Sequence, residues 1–520
     1  MCGIAVAINW DNAEEAVRLL TNAIVHRGDT SDPIITPRAK TAMGTRRLRI
    51  VDPEHGRQPQ ASFDGQILVS FNGEIYNHKI LRAELEAMGL AFRTGSDTEV
   101  LANALRAWGA RALARFSGMF AFVALDLRNG EFLAARDPFG VKPLYVIQSG
   151  DGFLFCSEIR PLLQAAPEGD VLLVPPGHLL TRQGCCRFEV PPTLVQQNSP
   201  VALDRTLEKA VISRLPDGLP AAAMFSGGID STLLVHYARR HRPDMPAYFA
   251  GTPEAPDAIF ASAYAEMTKL DLRRVECRMG PENLDLIERV IGAVEAFEPM
   301  VIRPAIFAWH VSQRMHRDGF RVALSGEGAD ELFAGYAHLE QAYAVSPEAG
   351  RGVQRQCLEL MHRSNLQRLD RCGMRFEVEI REPFLDSDLA AYAGSLDAGA
   401  LLKSVGGTLR GKEALRQIYD LYPSELPSMI RDRRKIGFDE GAGLKNDEGW
   451  QDMFETALSN SELAEGVREF AQYEISSKEE LFCLRALANA MDISRVPHLK
   501  SRLRLVVPQL AQVGERTAAA

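Results

Sequence analysis

Short apolar runs set the texture of the first 190 residues. They recur at 4–8, 67–71, 120–125, 132–134, 144–147 and 153–156, and clusters of Gly, Asp and Asn separate them. Runs of that length between turn formers predict strands. Helical spacing interrupts twice, over 12–24 and over 78–88, where Gly89 is a natural stop. Strands with helices laid beside them predict a layered α+β domain.

The texture changes after a proline-rich stretch, Pro191-Pro192-Thr193 to Ser199-Pro200, which places a domain boundary at 195/196. Leu203, Leu207, Val211 and Leu215 then recur every fourth residue, the apolar face of a helix. Short strand-like runs follow at 221–225, 247–250 and 321–324 among helical stretches. Strands alternating with helices predict a parallel sheet. The expected organisation is an α+β domain over 1–195 and a helix-rich α/β domain over 196–520.

Composition narrows the function classes. Of 520 residues, 46% are hydrophobic and 24% charged, an ordinary globular mixture. The net charge of −9 speaks against a dedicated nucleic-acid binder. No apolar run reaches the ~18–20 residues of a membrane span, and the start of the chain lacks the basic region of a signal peptide. The eight cysteines form no C-x-x-C pair, so their spacing suggests neither zinc nor a redox dithiol. The expected compartment is the reducing cytoplasm, with small-molecule partners and neither nucleic acid nor membrane.

Chemistry enters at the second residue. If Met1 is removed, Cys2 carries both a thiol and a free α-amine, which titrates near ~7.7–8.0 and can act as the base. Nucleophile plus amine is the logic of amino-terminal nucleophile hydrolases, although a small buried cysteine in a first strand is the plainer reading. In Asn72-Gly73-Glu74-Ile75-Tyr76-Asn77, the Asn72 amide and Gly73 N–H are donors of the kind an oxyanion hole needs, or else a hairpin turn. Ser96-Asp97-Thr98-Glu99 opens a helix and reads equally as an N-cap. Arg136-Asp137-Pro138-Phe139-Gly140-Val141-Lys142-Pro143-Leu144-Tyr145 reads alone as a rigid turn.

Taken in order with Met1-Cys2-Gly3-Ile4, His26-Arg27-Gly28 and Arg47-Leu48, these segments resemble the glutaminase domain of class II glutamine amidotransferases, over most of residues 1–160. The resemblance implies a four-layer αββα sandwich. It also implies Cys2 as nucleophile, Asn72 and Gly73 as oxyanion hole, Arg47 for the α-carboxylate of glutamine, and Glu74 and Asp97 for its ammonium. One departure is that the family reads His-Arg-Gly-Pro-Asp where this chain has His26-Arg27-Gly28-Asp29-Thr30.

In the second domain, the run at 221–225 leads into Ser226-Gly227-Gly228-Ile229-Asp230-Ser231 and a helix. Glycines let the backbone approach a polyphosphate, and the helix amino end offers free N–H groups. Asp230 suits Mg2+, a hard cation that takes oxygen ligands. About a hundred residues on, Ser325-Gly326-Glu327-Gly328-Ala329-Asp330-Glu331 repeats the strand–loop–helix pattern. Two such loops at one sheet edge would face a single ligand, with Asp230 and Asp330 sharing the metal. The plain alternative is that each acid caps its own helix.

These residues resemble the pyrophosphatase-loop ATP-binding domain of asparagine synthetases. The match runs on through Arg303, Glu379-Ile380-Arg381-Glu382-Pro383-Phe384-Leu385-Asp386, Lys412-Glu413-Ala414-Leu415-Arg416, Arg433-Arg434-Lys435-Ile436-Gly437-Phe438 and Ser477-Lys478-Glu479-Glu480-Leu481. It implies ATP as substrate, with Phe225, Ala250, Ser325 and Gly326 at the adenine–ribose site. Lys435 would attend the adenylate and departing pyrophosphate, and Glu327 and Arg303 would lie at the acceptor end. The implied reaction is adenylation of a carboxylate, then amide formation with ammonia released from glutamine and passed through a dry channel.

Aspartate is the acceptor the resemblance suggests first, but the family's Thr-Thr-x-Arg stands here as Met300-Val301-Ile302-Arg303, without the hydroxyls. A different carboxylic acid is therefore the alternative. A cyclising ligase like β-lactam synthetase conflicts with the intact Cys2–Arg47–Asn72–Asp97 set. A non-catalytic scaffold would show decay at Asp230, Asp330 or Lys435, and none is seen. The oligomeric state is open, a homodimer being one expectation.

Overall fold

The structure, a computed structural model, describes residues 2–190, 199–252, 254–443 and 448–504, so the boundary expected at 195/196 lies outside the described residues. Strand Cys2–Ile8 sits inside an antiparallel sheet, between Gly152–Cys156 and Thr41–Arg47. A second antiparallel sheet is built on Ile67–Ile75, Gly118–Asp126 and Phe132–Arg136. Between the sheets lies a core of Ile4, Val6, Ile8 and Phe155 from the first and Leu68, Val123, Leu125 and Phe132 from the second. Side chains alternate along a strand, so the outer faces bury against helices. Ala5 and Ala7 share a core with Val17 and Leu20 of helix Ala13–Ala23. Val69 and Phe71 share one with Leu81 and Leu85 of His78–Ala87 and Val100 and Leu101 of Asp97–Trp108. The layers run helix, sheet, sheet, helix.

The second domain holds a five-stranded parallel sheet, in the order Leu272–Glu276, Ala247–Gly251, Ala221–Met224, Val322–Leu324, Glu379–Arg381. The chain builds outward from Ala221–Met224 to one side and then returns to build the other. The order therefore reverses between Ala221–Met224 and Val322–Leu324, where parallel sheets open a crevice at their carboxyl ends. Both glycine loops leave the sheet there. The outermost strand, Glu379–Arg381, was not expected from pattern, because two of its three residues are charged; all three are nonetheless buried. No helix among the described residues is long and apolar enough to cross a membrane.

The domains meet across buried charge. Arg27 of the first domain makes a two-pronged pair with Asp370 of the second, Nη1–Oδ2 2.9 Å and Nη2–Oδ1 3.0 Å, and also reaches Glu158 at 3.0 Å. Arg371 answers from the second domain: it donates to Ser157 O at 2.8 Å and pairs with Glu295 at 2.8 Å. Glu295 in turn accepts the N–H groups of Ile159 and Arg160, at 2.9 and 2.7 Å. Lys142, from the turn after Phe132–Arg136, donates to Ile380 O at 3.4 Å. Arg27, Glu158, Asp370, Arg371 and Glu295 are all buried. Burial alone would raise the pKa of Asp370, but Arg27 opposes it and holds this carboxyl below its usual range.

Breaking a buried pair strands its partner, which costs about 3–5 kcal/mol. Asp370→Ala is expected to lower the melting temperature strongly. Removing the exposed interdomain pair Lys79–Asp217 by Lys79→Ala should cost under about 1 kcal/mol. Equal shifts in thermal unfolding would contradict this ranking.

Candidate active sites

The first site forms where strand ends converge. Cys2 begins its strand directly opposite Arg47, the last residue of Thr41–Arg47. Asn72, Gly73 and Glu74 lie near the end of Ile67–Ile75 in the facing sheet. Asp97 opens helix Asp97–Trp108, where Ser96 accepts the Thr98 N–H at 3.1 Å; the segment is thus both an N-cap and part of the site. Cys2, Arg47, Gly73, Glu74 and Asp97 line one small cleft.

The Cys2 N–H donates to Asn72 Oδ1 at 2.9 Å. That contact leaves Asn72 Nδ2 as the free end of the amide, and this atom is buried without a hydrogen-bond partner. An unpartnered donor beside a buried thiol is the kind of group an oxyanion hole needs. Gly73 has φ +150°, and a Cβ there would sit 2.0 Å from Met119 O, so the strand admits only glycine. Burial pushes the Cys2 thiol pKa up against the pull of the Arg47 guanidinium, so the resting thiol needs a base. Arg47 is held by the carbonyls of Asp52 at 2.6 Å and Pro53 at 3.2 Å. Asp97 accepts the Ile75 N–H at 3.1 Å, and burial raises its pKa.

Sequence reasoning missed Gln58, whose Nε2 lies 3.7 Å from Cys2 Sγ and whose Oε1 accepts the Phe71 N–H at 2.8 Å. Nothing in the surrounding sequence marks it. Arg136-to-Tyr145 is the rigid turn of its plain reading: Arg136 ties together the carbonyls of Gly140, Lys142 and Val174.

The second site is a cavity of about 330 Å3 at the sheet's switch point. Phe225, Ser226, Asp230, Ser231, Ala250, Ser325, Gly326, Glu327, Asp330 and Lys435 all line it. The first loop holds itself together through Ser226, whose N–H donates to Ser231 Oγ at 3.2 Å and whose Oγ accepts the Gly228 N–H at 3.3 Å. Gly228 caps helix Ile229–His241, whose N-terminus faces the cavity through Asp230 and Ser231. Gly227 does not line the cavity; its φ is +68° and it backs against Ala261, where a Cβ would meet the backbone at 2.5 Å.

Asp230 and Asp330 converge on Lys412, the first residue of the matched segment Lys412-to-Arg416, to which sequence reasoning assigned no role. Its Nζ hydrogen-bonds Asp230 Oδ2 and lies 2.6 Å from Asp330 Oδ1. Lys435 Nζ reaches Asp330 Oδ2 at 3.2 Å, and Arg433, two residues earlier, anchors that segment by donating to Gly227 O at 3.2 Å. Desolvation would raise the Asp330 pKa, but the two lysines overcome it and hold it down at about 2. Asp230 ends raised, because its burial outweighs Lys412. Asp230 Oδ1 is buried without a hydrogen-bond partner, whereas Asp330 Oδ1 is engaged by Lys412. No group of three or more His, Cys, Asp or Glu side chains able to hold a metal occurs among the described residues. The spare Asp230 oxygen beside the Asp330 carboxylate nevertheless fits magnesium, which takes one or two carboxylates and completes its shell with substrate phosphates and water.

Glu327 accepts Asn365 Nδ2 at 2.8 Å and pairs with Arg368. Arg303 is placed elsewhere: its Nε donates to Glu479 at 2.9 Å, and it does not line the cavity. The same helix, Pro299–Arg317, presents Met300, Pro304, Phe307 and Val311 to the cavity instead.

Burial, aided by Glu327 and Asp330, pushes the Glu331 carboxyl up to about 8. An unfolded glutamate titrates near ~4.3. Between those values the folded chain keeps a proton that the unfolded chain has lost. Stability from this group is therefore full below the unfolded value, falls as pH rises, and is flat above about 8. Glu331→Gln keeps an acceptor for the Tyr336 hydroxyl and the Asn365 amide and should remove that slope. The variant should melt higher than the parent at about pH 8.5 and alike near pH 4; parallel melting curves across pH would contradict the assignment.

Comparison with known proteins matches a family to each half of the chain. A family profile described as "Glutamine amidotransferase domain" matches residues 1–172, and one described as "Asparagine synthase" matches 202–356 and 346–492. "Asparagine synthetase [glutamine-hydrolyzing] 2" of Arabidopsis thaliana is 32% identical over 493 residues, covering 89% of this chain and 83% of that protein. "Asparagine synthetase [glutamine-hydrolyzing] 1" of the same plant is 30% identical, over 93% of this chain and 85% of its own length. The chain belongs to the family of glutamine-hydrolysing asparagine synthetases, ATP-dependent amidotransferase ligases.

Proposed function

We propose that the chain makes asparagine from aspartate, using ammonia cut from glutamine in domain 1–195 and ATP in domain 196–520. The observation that carries the reading is the unpartnered Asn72 Nδ2 beside Cys2, on a chain that also carries the Asp230–Asp330–Lys435 crevice.

In the first domain, removal of Met1 would free the Cys2 α-amine. That amine takes the thiol proton and gives it to the departing ammonia, while the thiolate attacks the glutamine amide carbon. Asn72 Nδ2 and the Gly73 N–H receive the developing oxyanion. Arg47 meets the substrate carboxylate, and Glu74 and Asp97 its ammonium. Water then releases glutamate from the thioester.

In the second domain, the amino end of helix Ile229–His241, where Asp230 and Ser231 face the cavity, receives phosphate. Phe225, Ala250, Ser325 and Gly326 border the adenosine. An acceptor carboxylate oxygen attacks the α-phosphorus and pyrophosphate leaves, drawn by Lys435. Ammonia then displaces AMP from the acyl carbon, with Glu327 placed to take the surplus proton. Magnesium bound with ATP by Asp230 and Asp330 would neutralise phosphate charge. An acyl adenylate hydrolyses readily, so ammonia must arrive unprotonated and without bulk water, through the interior between the two sites.

Arg368, which also lines the cavity, offers a cation to the α-carboxylate of aspartate. A second reading, another carboxylic acid, is favoured by the Met300, Phe307 and Val311 wall. Cyclisation without ammonia would leave the Cys2 cleft without a use.

The test is acceptor-dependent pyrophosphate release with ATP, magnesium and glutamine, the product being identified by mass. Aspartate should yield pyrophosphate and asparagine; release only with a different acid would replace the acceptor. Cys2→Ala should lower glutamine-dependent synthesis by about 10³-fold or more and leave ammonia-dependent synthesis intact. Asp330→Asn should abolish pyrophosphate release while glutaminase activity stays within about threefold, as for distant sites. Loss of both activities in a folded variant would contradict this division.

A further inference from the structure

Arg381 stands in both sites at once. It ends the outermost parallel strand, and its side chain crosses into the first domain, where Nη2 lies 3.0 Å from Glu74 Oε1 in the Cys2 cleft. Its Nε donates to Glu379 at 2.6 Å and its Nη1 to Arg214 O at 2.8 Å. Its carbonyl accepts the Ser325 N–H at 2.9 Å, and Ser325 is the first residue of the loop bordering the ATP cavity. A single residue thus touches the carboxylate proposed for the glutamine ammonium and the backbone proposed for adenosine.

We infer that Arg381 is a positioning residue that couples glutamine occupancy of the Cys2 cleft to the conformation of the Ser325 loop. The inference rests on the proposed function. Its physical basis is competition for one carboxylate. Glu74 and Arg381 are both buried, and Arg381 Nη2 has no aligned hydrogen bond although it lies within pairing distance of Glu74. An incoming ammonium shares Glu74 with Arg381, in surroundings where little water screens the exchange. Arg381 has little room to adjust by its side chain alone, because Glu379 and the Arg214 carbonyl hold the other two prongs. Any shift therefore passes to the strand, which Lys142 also grips at Ile380 O from the glutaminase side. The next hydrogen bond along is the one to Ser325.

Coupling between binding sites is reciprocal. The full-length Cys2→Ala chain, which binds glutamine without turning it over, allows it to be measured by calorimetry. Saturating ATP with magnesium should change the glutamine Kd by about fivefold or more, the lower end of typical couplings. Arg381→Lys in the same chain keeps the charge but loses the fork. The cross-effect should then shrink below about twofold while the ATP Kd itself moves less than that. Arg381→Gln should lose the cross-effect entirely. Hydrogen exchange gives a reading that needs no Arg381 variant: glutamine alone should alter protection over residues 322–331 of the Cys2→Ala chain. A cross-effect that survives Arg381→Lys, or glutamine that leaves 322–331 unchanged, would overturn the inference. A parent chain that binds both ligands with no cross-effect would overturn it alone, whereas a wild-type chain that does not hydrolyse glutamine would overturn the proposed function instead.

Discussion

The pairing of Arg27 with Asp370 across the domain boundary constrains everything else. Two charges taken out of water cost several kcal/mol each. They are tolerable only in the geometry that satisfies them: the two-pronged contact with Asp370, the third contact to Glu158, and the parallel set around Arg371 and Glu295. Apolar surfaces can slide past one another with little penalty, whereas a buried guanidinium fork cannot. Charge at this boundary therefore fixes one relative placement of the domains. Arg27 also donates to the Cys2 carbonyl at 3.2 Å, so the residue that docks the domains also holds the backbone of Cys2.

Both chemical sites follow from where strands end. Cys2, Arg47 and Glu74 meet because strands from two facing sheets stop at one edge, and the two glycine loops meet because the parallel sheet reverses its order between their strands. The Glu379–Arg381 strand closes the distance between these edges. It belongs to the parallel sheet by its hydrogen bonds and to the Cys2 cleft by its charges.

Most of the layered architecture was legible in the sequence, because its strands are apolar and turn residues punctuate them. Residues 4–8, 120–125 and 153–156 lie within strands Cys2–Ile8, Gly118–Asp126 and Gly152–Cys156. Thr41–Arg47 and Glu379–Arg381 were not legible as strands, because their arginines and glutamate find partners only in three dimensions. The site residues were legible where a motif surrounds them, as with Cys2, Asn72 and Asp230. Gln58 was not, and Lys412 stood in a matched segment without a role. Lys412 owes its position between Asp230 and Asp330 to a left-handed turn at φ +62°, which an ordinary lysine in sequence does not announce. Arg303 shows the reverse: the motif marks it for the acceptor, but Glu479 holds it outside the cavity wall.

A buried junction that aligns two sites makes a direct claim about nitrogen. Glutamine labelled with 15N at the amide can be supplied with ATP, magnesium, acceptor and an excess of unlabelled ammonium, and the isotope content of the product amide read by mass. If the domains work as one aligned unit, the product carries the glutamine label undiluted. A product whose label matches the mixed ammonia pool would mean that the two sites work separately, and that the buried junction serves stability alone.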